Sequence, residues 1–272
     1  MAGNPKILVF DSGLGGLTVH AEIVKALPHA SIIYVADDAA FPYGRLETDV
    51  LTKRVVVVIG AMIKRHAPDI VVIACNTAST ICMPVLRAAF TLPFVGTVPA
   101  VKPAALLSKT RTISILGTPG TVNREYTHDL IIEHAADCRV NLVGAPHLAR
   151  LAEAHLRGEA VRDADVLAEI LPCFKEKDGI KTDAIALACT HYPLLLDVYR
   201  RIAPWEVEWV DPAPAIAKRV VSLLGEHNAA GPLGRTEAVF TSGKTLPLSL
   251  VETLQQRGIA VAQGAELPFV PQ

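Results

Sequence analysis

Two cysteines lie at matching places in the sequence, and their surroundings make them candidates for catalysis. Cys75 ends the apolar run of "VVIACNTAST" (71–80), and Cys189 ends that of "IALACTHYPL" (185–194). Small polar residues follow each cysteine at once. Both patterns are typical of a buried β-strand that ends in a thiol where the chain turns polar.

Two opposed thiols can serve as a pair of acid–base catalysts. One thiolate removes a proton from one face of a carbon while the other thiol delivers a proton to the opposite face, which inverts a stereocentre. A zinc site would need more ligands, and only His191 adjoins either cysteine. A cysteine nucleophile with a histidine base would use Cys189 and His191 but leave Cys75 without a role.

General-base catalysis by a thiol requires a thiolate. The helices predicted after each cysteine can stabilise one. A free thiol has a pKa of about 8.5, and backbone N–H groups at the start of a helix lower it. We expect helices near Thr77, just after Cys75, and at 192–203, just after Cys189.

The pattern of strands and helices around the cysteines predicts a parallel α/β fold. Short apolar runs alternate with segments of helical length, which is typical of βαβ units whose strands are buried on both faces. The predicted strands are 6–10, 31–36, 69–74, 111–116, 183–188 and 207–210, and the predicted helices are 14–27, 46–66, 77–90, 121–136, 161–176 and 213–227.

An internal repeat indicates two similar halves. "KILVFDSGLGGLTV" (6–19) resembles "RTISILGTPGTVNRE" (111–125), and "DIVVIACNTAS" (69–79) resembles "DAIALACTHYP" (183–193). Ligands of parallel sheets bind outside the carboxyl ends of the strands. We therefore expect halves related by a pseudo-twofold axis, with one thiol on each wall of a cleft.

Composition excludes several classes of protein. The 272 residues carry a formal net charge of −1, which argues against binding nucleic acid or anionic membranes through bulk charge. No apolar run reaches the length of a membrane helix, and the N-terminus does not resemble a signal peptide. Five scattered cysteines favour reduced thiols in a cytoplasm, with Cys82, Cys138 and Cys173 as ordinary apolar residues.

Four motifs in order resemble the glutamate racemase family, cofactor-independent enzymes of the aspartate/glutamate racemase superfamily. The motifs are "FDSGLGGLTV" (10–19), "DDAAFPYG" (37–44), "IACNTAST" (73–80) and "ACTHYPLL" (188–195). The resemblance runs from residue 6 to about 226. It implies two flavodoxin-like parallel-sheet domains with the active site in the cleft between them. The first domain would comprise 1–98 plus 208–272, and the second 99–207.

The resemblance also implies a reaction, namely the interconversion of L- and D-glutamate without metal or cofactor, which supplies D-glutamate for peptidoglycan. Cys75 would be the base for D-glutamate and Cys189 the base for L-glutamate. Asp11, His191 and, more loosely, Glu153 match groups that assist the thiols. The implied substrate-binding residues are Asp11, Ser12, Tyr43, Gly44, Asn76, Thr77, Thr121, Thr190 and His191.

Three other interpretations stay open at this point. The chain could racemise aspartate or another small amino acid, hydrolyse a substrate with Cys189 and His191, or bind a ligand without turnover. Glutamate is the only partner that the sequence indicates, with no nucleic acid and no membrane. The oligomeric state is left open, with a homodimer as one option.

Overall fold

The computed structural model describes residues 4–225 and 232–262, and within these ranges the chain alternates strands and helices. The strands are β1 (Lys6–Asp11), β2 (Ser31–Ala36), β3 (Ile70–Ile73), β4 (Phe94–Gly96), β5 (Thr112–Gly117), β6 (Arg139–Gly144), β7 (Glu176–Lys177), β8 (Ile180–Lys181), β9 (Ala184–Ala188), β10 (Glu208–Val210), β11 (Thr236–Phe240) and β12 (Ile259–Val261). The helices are α1 (Leu17–Ala26), α2 (Thr48–His66), α3 (Asn76–Ala89), α4 (Val101–Leu107), α5 (Pro119–Val122), α6 (Glu125–His134), α7 (Leu148–Leu156), α8 (Asp163–Ile170), α9 (Leu196–Ile202), α10 (Ala213–Leu224) and α11 (Leu248–Gln256).

The chain divides into two compact units. The first contains the residues up to Thr97 and those from Ala213 onward, and the second is Val98–Pro212. The sequence also assigns 1–3, 226–231 and 263–272 to the first domain, and these lie outside the described residues.

The first unit is built on a six-stranded sheet in the order β12-β11-β2-β1-β3-β4. Every neighbouring pair is parallel. The central strands have apolar interiors because helices cover both faces of such a sheet. Residues Ile7–Phe10 of β1, for example, are completely buried.

The second unit has a four-stranded parallel sheet in the order β10-β9-β5-β6. Read in the opposite direction, this order, β6-β5-β9-β10, repeats the order β2-β1-β3-β4 of the first unit. The strands β3 and β9 are therefore equivalent, as are β1 and β5. The parallel α/β fold class predicted from the sequence is confirmed, and Cys75 and Cys189 each follow the equivalent strand of their own unit.

Three predicted helices differ from those observed. The segment 192–203 begins as a 3₁₀ turn at Tyr192–Leu195, and its α-helix, α9, starts only at Leu196. The segment 121–136 forms the short α5 and the separate α6. The helix predicted at 161–176 ends at Ile170, and a 3₁₀ turn at Leu171–Cys173 leads into the antiparallel pair β7 and β8. Pro172 explains this early end, since a proline has no N–H to continue the helical hydrogen bonds. None of the helices in the described part of the chain is long and apolar enough to span a membrane.

Candidate functional site

The thiol of Cys75 lies at the junction between β3 and α3. Cys75 is the N-cap residue of α3, which begins at Asn76. Its Sγ lies 3.8 Å from the Oγ of Ser12, and both side chains are buried. The first turn of a helix has free N–H groups and carries partial positive charge, so this position favours a thiolate.

The turn that follows β1 presses against the strand end before Cys75. The buried Asp11 carboxylate accepts hydrogen bonds from the N–H groups of Gly13 and Gly16 at 3.1 and 3.2 Å. A Cβ on Gly16 would lie 2.9 Å from the Cβ of Asp11 and 3.0 Å from that of Ala74. Only glycine fits this approach. Tyr34 fixes the turn from β2, since its hydroxyl donates to the Gly13 carbonyl at 2.9 Å.

Asn76, the residue after Cys75, carries a pair of polar groups that make no hydrogen bond to the described residues. The side chain is 3% exposed, yet neither its amide nitrogen nor its oxygen has a hydrogen-bond partner among the described residues. Buried amides are nearly always hydrogen-bonded, so this one is suited to a polar ligand. Thr77, the next residue of α3, is buried as well.

The "FPYG" segment lies close to Cys75. It forms a 3₁₀ turn at Tyr43–Arg45, in which Tyr43 is buried and Gly44 is exposed. The ring of Tyr43 belongs to the same apolar cluster as Cys75. Its hydroxyl donates to Asp37. Burial, and then the negative charge of Asp37, raises the pKa of Tyr43 well above its ordinary value, so the hydroxyl stays a neutral donor.

Cys189 follows β9, and its surroundings differ from those of Cys75. The chain continues through the buried Thr190 and His191 into a 3₁₀ turn at Tyr192–Leu195 before α9 begins. No α-helix starts at this cysteine. Instead, the Nδ1 atom of His191 lies 3.9 Å from the thiol sulfur.

A series of charged side chains contacts the ring nitrogen of His191 that is farther from the thiol. Its Nε2 lies 3.0 Å from one carboxylate oxygen of the buried Glu153, on α7. Arg157 donates to the other oxygen at 3.0 Å and to Glu159 at 2.6 Å. A carboxylate can only accept a hydrogen bond, so Nε2–H is the donor in this contact, and Nδ1 is the ring nitrogen that faces the thiol of Cys189.

Thr121 lies near the end of β5, beside β9. Its hydroxyl contacts that of Thr118 at 2.9 Å, and Thr118 caps the short helix α5. A Cβ on Gly117 would lie 3.4 Å from the Cβ atoms of both Thr121 and Ala188. Thr121 is therefore close to the residue that precedes Cys189.

The predicted site residues form one group in each unit. The first unit holds Asp11, Ser12, Tyr43, Gly44, Cys75, Asn76 and Thr77, and the second holds Thr121, Glu153, Cys189, Thr190 and His191. In the described ranges, no three His, Cys, Asp or Glu side chains are grouped as metal ligands.

Sequence reasoning missed Asp37, Arg54 and Arg157, and signals in the sequence could have found Asp37 and Arg157. Asp37 directly follows the predicted strand 31–36, which is β2 and pairs with β1, and ligand-facing residues are expected at this end of a parallel strand. Arg157 lies four residues after Glu153, one helical turn away on the same face.

Comparison with known proteins now defines the class. A sequence model of the Asp/Glu/hydantoin racemase family matches residues 15–220, most of the chain. This match, together with two parallel α/β units that each place a thiol shortly after the equivalent strand, defines the chain as an amino-acid racemase.

Individual relatives narrow this class. The chain is 55% identical over 240 residues to a glutamate racemase of Sinorhizobium fredii, covering 88% of this chain and 90% of the relative. It is 56% identical over 224 residues to a glutamate racemase of Brucella anthropi, covering 82% and 81%. The crystal structure of Escherichia coli glutamate racemase, in complex with L-glutamate and the activator UDP-MurNAc-Ala, superposes with a TM-score of 0.84 at 36% identity over 96% of this chain and 98% of that one. The chain belongs to the glutamate racemase family, as the sequence motifs predicted.

Proposed function

We propose that the protein interconverts L- and D-glutamate by a two-base mechanism in which Cys75 and Cys189 exchange roles. The observation that carries this proposal is topological. The two units repeat one strand order, and each places a cysteine within two residues after the end of the equivalent strand, β3 or β9. Equivalent groups suit a reaction that must run equally well in both directions.

The proposed reaction consists of two proton transfers. With L-glutamate, the Cys189 thiolate removes the α-proton, and the electron pair left on the α-carbon delocalises into the adjoining carboxylate. The Cys75 thiol then donates its proton to the opposite face, which yields D-glutamate and leaves a thiolate on Cys75. The reverse reaction uses the same groups in exchanged roles. The mechanism requires the two thiols to reach opposite faces of one α-carbon.

The neighbouring side chains would assist each thiol and hold the substrate. His191, backed by Glu153, can take a proton from Cys189 and return it. The unpartnered amide of Asn76 and the hydroxyls of Ser12 and Thr77 offer hydrogen bonds to a carboxylate or an ammonium group. A site that pairs with a second carboxylate discriminates against alanine, because its buried donors would otherwise stay unsatisfied.

We further propose that the enzyme supplies D-glutamate for peptidoglycan synthesis in the cytoplasm. The relatives named glutamate racemase support glutamate as the substrate, and thiol chemistry suits a reducing compartment. None of the five cysteines, all of which lie in the described ranges, forms a disulfide. The chemistry uses side chains of one chain and holds equally for a monomer and a homodimer.

The alternatives make different predictions about the cysteines. An aspartate racemase would use the same residues. Comparing the specificity constants for glutamate and aspartate distinguishes it from a glutamate racemase. In a cysteine hydrolase, Cys189 would be the nucleophile and His191, which contacts it, would be the base. Cys75 would then have no catalytic role. A binding module would bind glutamate without turnover.

Half-reactions of cysteine variants test the proposal. Both Cys75→Ser and Cys189→Ser should racemise glutamate about 10²–10⁴-fold more slowly, since a positioned acid or base contributes that much. With glutamate analogues that carry a leaving group on the β-carbon, proton removal alone expels that group and forms a double bond. We expect Cys75→Ser to eliminate only from the L-analogue and Cys189→Ser only from the D-analogue.

Two buried cysteines outside the site serve as matched controls. Cys82→Ser and Cys173→Ser should retain racemisation and both eliminations. If either site variant eliminated equally from both enantiomers, one base per face would be ruled out. Full racemase activity in Cys75→Ser would favour the hydrolase alternative.

A further inference from the structure

A buried cluster of charged and polar groups lies beside the Cys75 half of the candidate site. Its centre is Asp37, which directly follows β2 and is completely buried. Arg54 donates to both carboxylate oxygens, from Nε at 2.6 Å and from Nη2 at 2.7 Å. The hydroxyls of Tyr43 and Thr241 donate to the same carboxylate, the latter at 2.5 Å. We call these four residues the Asp37 cluster.

The Asp37 cluster joins segments that are far apart in the chain. Arg54 comes from α2, Tyr43 from the turn that precedes it, and Thr241 from the segment after β11, 204 positions beyond Asp37. Burying a carboxylate and a guanidinium is unfavourable unless their hydrogen bonds are made. Four side-chain bonds to one carboxylate meet that condition, so the segments are held in one arrangement.

Arg54 occupies a position where the pattern of α2 calls for an apolar residue. It lies on the buried face with Leu51, Val55 and Val58, at helical spacing, and is itself only 6% exposed. An apolar residue would fill this place at less desolvation cost. The charge is therefore best explained by what it holds, namely Asp37 and through it Tyr43.

Tyr43 connects the cluster to the site. Its ring packs in the apolar cluster that contains Cys75, and it opens the Tyr43–Arg45 turn with the exposed Gly44. Tyr43 and Gly44 are the pair that the sequence assigns to substrate binding. A shift of the hydroxyl of Tyr43 would move this turn relative to Cys75.

We propose that Arg54 is a positioning residue for racemisation, which fixes the Tyr43–Gly44 turn beside Cys75 through Asp37 without touching the substrate. This inference rests on the proposed function, because it concerns the same site. Its consequence is that Arg54 and Tyr43 act on substrate binding through one shared link.

A double-mutant cycle in the full-length protein tests that link. Arg54→Lys keeps the positive charge but loses the fork of two donors, and Tyr43→Phe removes only the hydroxyl. Each single variant should raise the KM for glutamate about 10- to 100-fold, the range expected for losing a hydrogen bond to a charged group. The double variant should be no worse than the more damaged single variant. If Arg54 only stabilised the fold, the two effects on KM would not be coupled.

Arg111→Lys serves as the matched control, because Arg111 pairs with Asp137 and both belong to the second unit, whereas the Asp37 cluster belongs to the first. Its KM should equal that of the wild type. Thr241→Val removes a different hydrogen bond to the Asp37 carboxylate, one that comes from a third segment of the chain. It takes the place of Arg54→Lys if that variant does not fold. A raised KM in Thr241→Val supports the proposal.

Two outcomes would overturn the inference, and a third concerns the proposed function alone. A wild-type KM in folded Arg54→Lys or in Thr241→Val overturns the inference, and so does a double variant whose KM is the product of the separate effects. A wild-type protein that does not racemise glutamate would instead overturn the proposed function. Calorimetric titration of the same variants with glutamate would then still measure the coupling in binding.

Discussion

The two thiols have different neighbours, although the strands that carry them are equivalent. Cys75 caps the fourteen-residue helix α3 and contacts the hydroxyl of Ser12. Cys189 has no such helix and contacts His191, which Glu153 holds in place. The helix terminus favours a thiolate electrostatically, whereas the imidazole can also accept and return the proton. The two thiols therefore occupy equivalent positions, but a helix terminus assists Cys75 and a histidine assists Cys189.

Glu153→Gln should impair the half of the reaction that Cys189 performs. The amide keeps the shape of the side chain but loses the charge that holds the Nε2–H of His191. We expect elimination from the L-analogue to slow about 10- to 100-fold, the value of a hydrogen bond to a charged group, with elimination from the D-analogue unchanged. Rates of leaving-group release from the two enantiomers measure this.

Glu159→Gln is the control, because Glu159 is the exposed end of the same chain of contacts. It should leave both eliminations intact. An equal loss with both enantiomers in Glu153→Gln would mean that Glu153 acts on the fold of the site and not on Cys189.

Asn76→Leu should separate binding from stability. The amide is buried without a partner among the described residues, so removing it relieves a desolvation cost of about 1–3 kcal/mol. We expect an unchanged or higher free energy of unfolding together with a raised KM for glutamate. Asn141→Leu is the opposite case, since the amide of Asn141 donates to Ser114 and to the Pro172 carbonyl. That variant should lose stability and keep its KM, and a destabilised Asn76→Leu with normal KM would contradict the expectation.

At the level of elements, the sequence predicted six strands of the two parallel sheets, β1, β2, β3, β5, β9 and β10, and missed β4, β6, β11 and β12. The predicted runs 31–36 and 183–188 match β2 and β9 to within a residue. β6 escaped because its residues are mostly half-exposed and mixed in polarity, as on the edge of a sheet. β11 and β12 escaped because the chain returns to the first sheet only after the second unit, and local pattern does not encode that pairing.

The candidate site shows the same division between local and distant information. Residues adjoining a cysteine in sequence, such as Asn76 and His191, could be named from the motifs. Arg54 could not, because its partner Asp37 is reached across the fold. The sequence carries one signal for Arg54, namely a charged residue on the apolar face of α2. The periodicity of the helix alone does not say what this charge is for.

His20 links α1 to β11, and this contact makes stability depend on pH. Its Nε2 lies 2.9 Å from the hydroxyl of Thr236, and burial, helped by the charge of Arg257, lowers the pKa of His20 to about 4. The folded state therefore keeps the ring neutral while the unfolded chain binds a proton below about pH 6.5. Stability is full above pH 6.5 and falls as the pH approaches 4, by at most about 3 kcal/mol.

His20→Gln should reduce this pH dependence, because the amide can still reach Thr236 but does not titrate. Chemical denaturation between pH 4 and pH 7 measures the slope. His29→Gln, at a half-buried histidine whose Nδ1 contacts the Pro232 carbonyl, is the control and should leave the slope of the wild type. An unchanged slope in His20→Gln would assign the dependence to other groups.

For the whole molecule, we expect activity to require only the polypeptide and a reductant. The proposed chemistry assigns both proton transfers to thiols, so no step is left for a metal or for pyridoxal phosphate. Dialysis of purified protein against a chelator should leave the rate of racemisation unchanged, and the protein should not absorb in the pyridoxal region. Activity that is lost on dialysis and restored by a metal ion or by pyridoxal phosphate would contradict this.

The discontinuous first unit has a consequence for biosynthesis. β11 pairs with β2, and Thr241 completes the bonds around Asp37, yet the whole of the second unit lies between them in the chain. When the ribosome has translated Pro212, the second unit has its full sequence, while the first still lacks α10, β11, α11 and β12. The half that is begun first is therefore the half that is finished last, and until then β2 presents a bare edge to whatever surrounds the nascent chain.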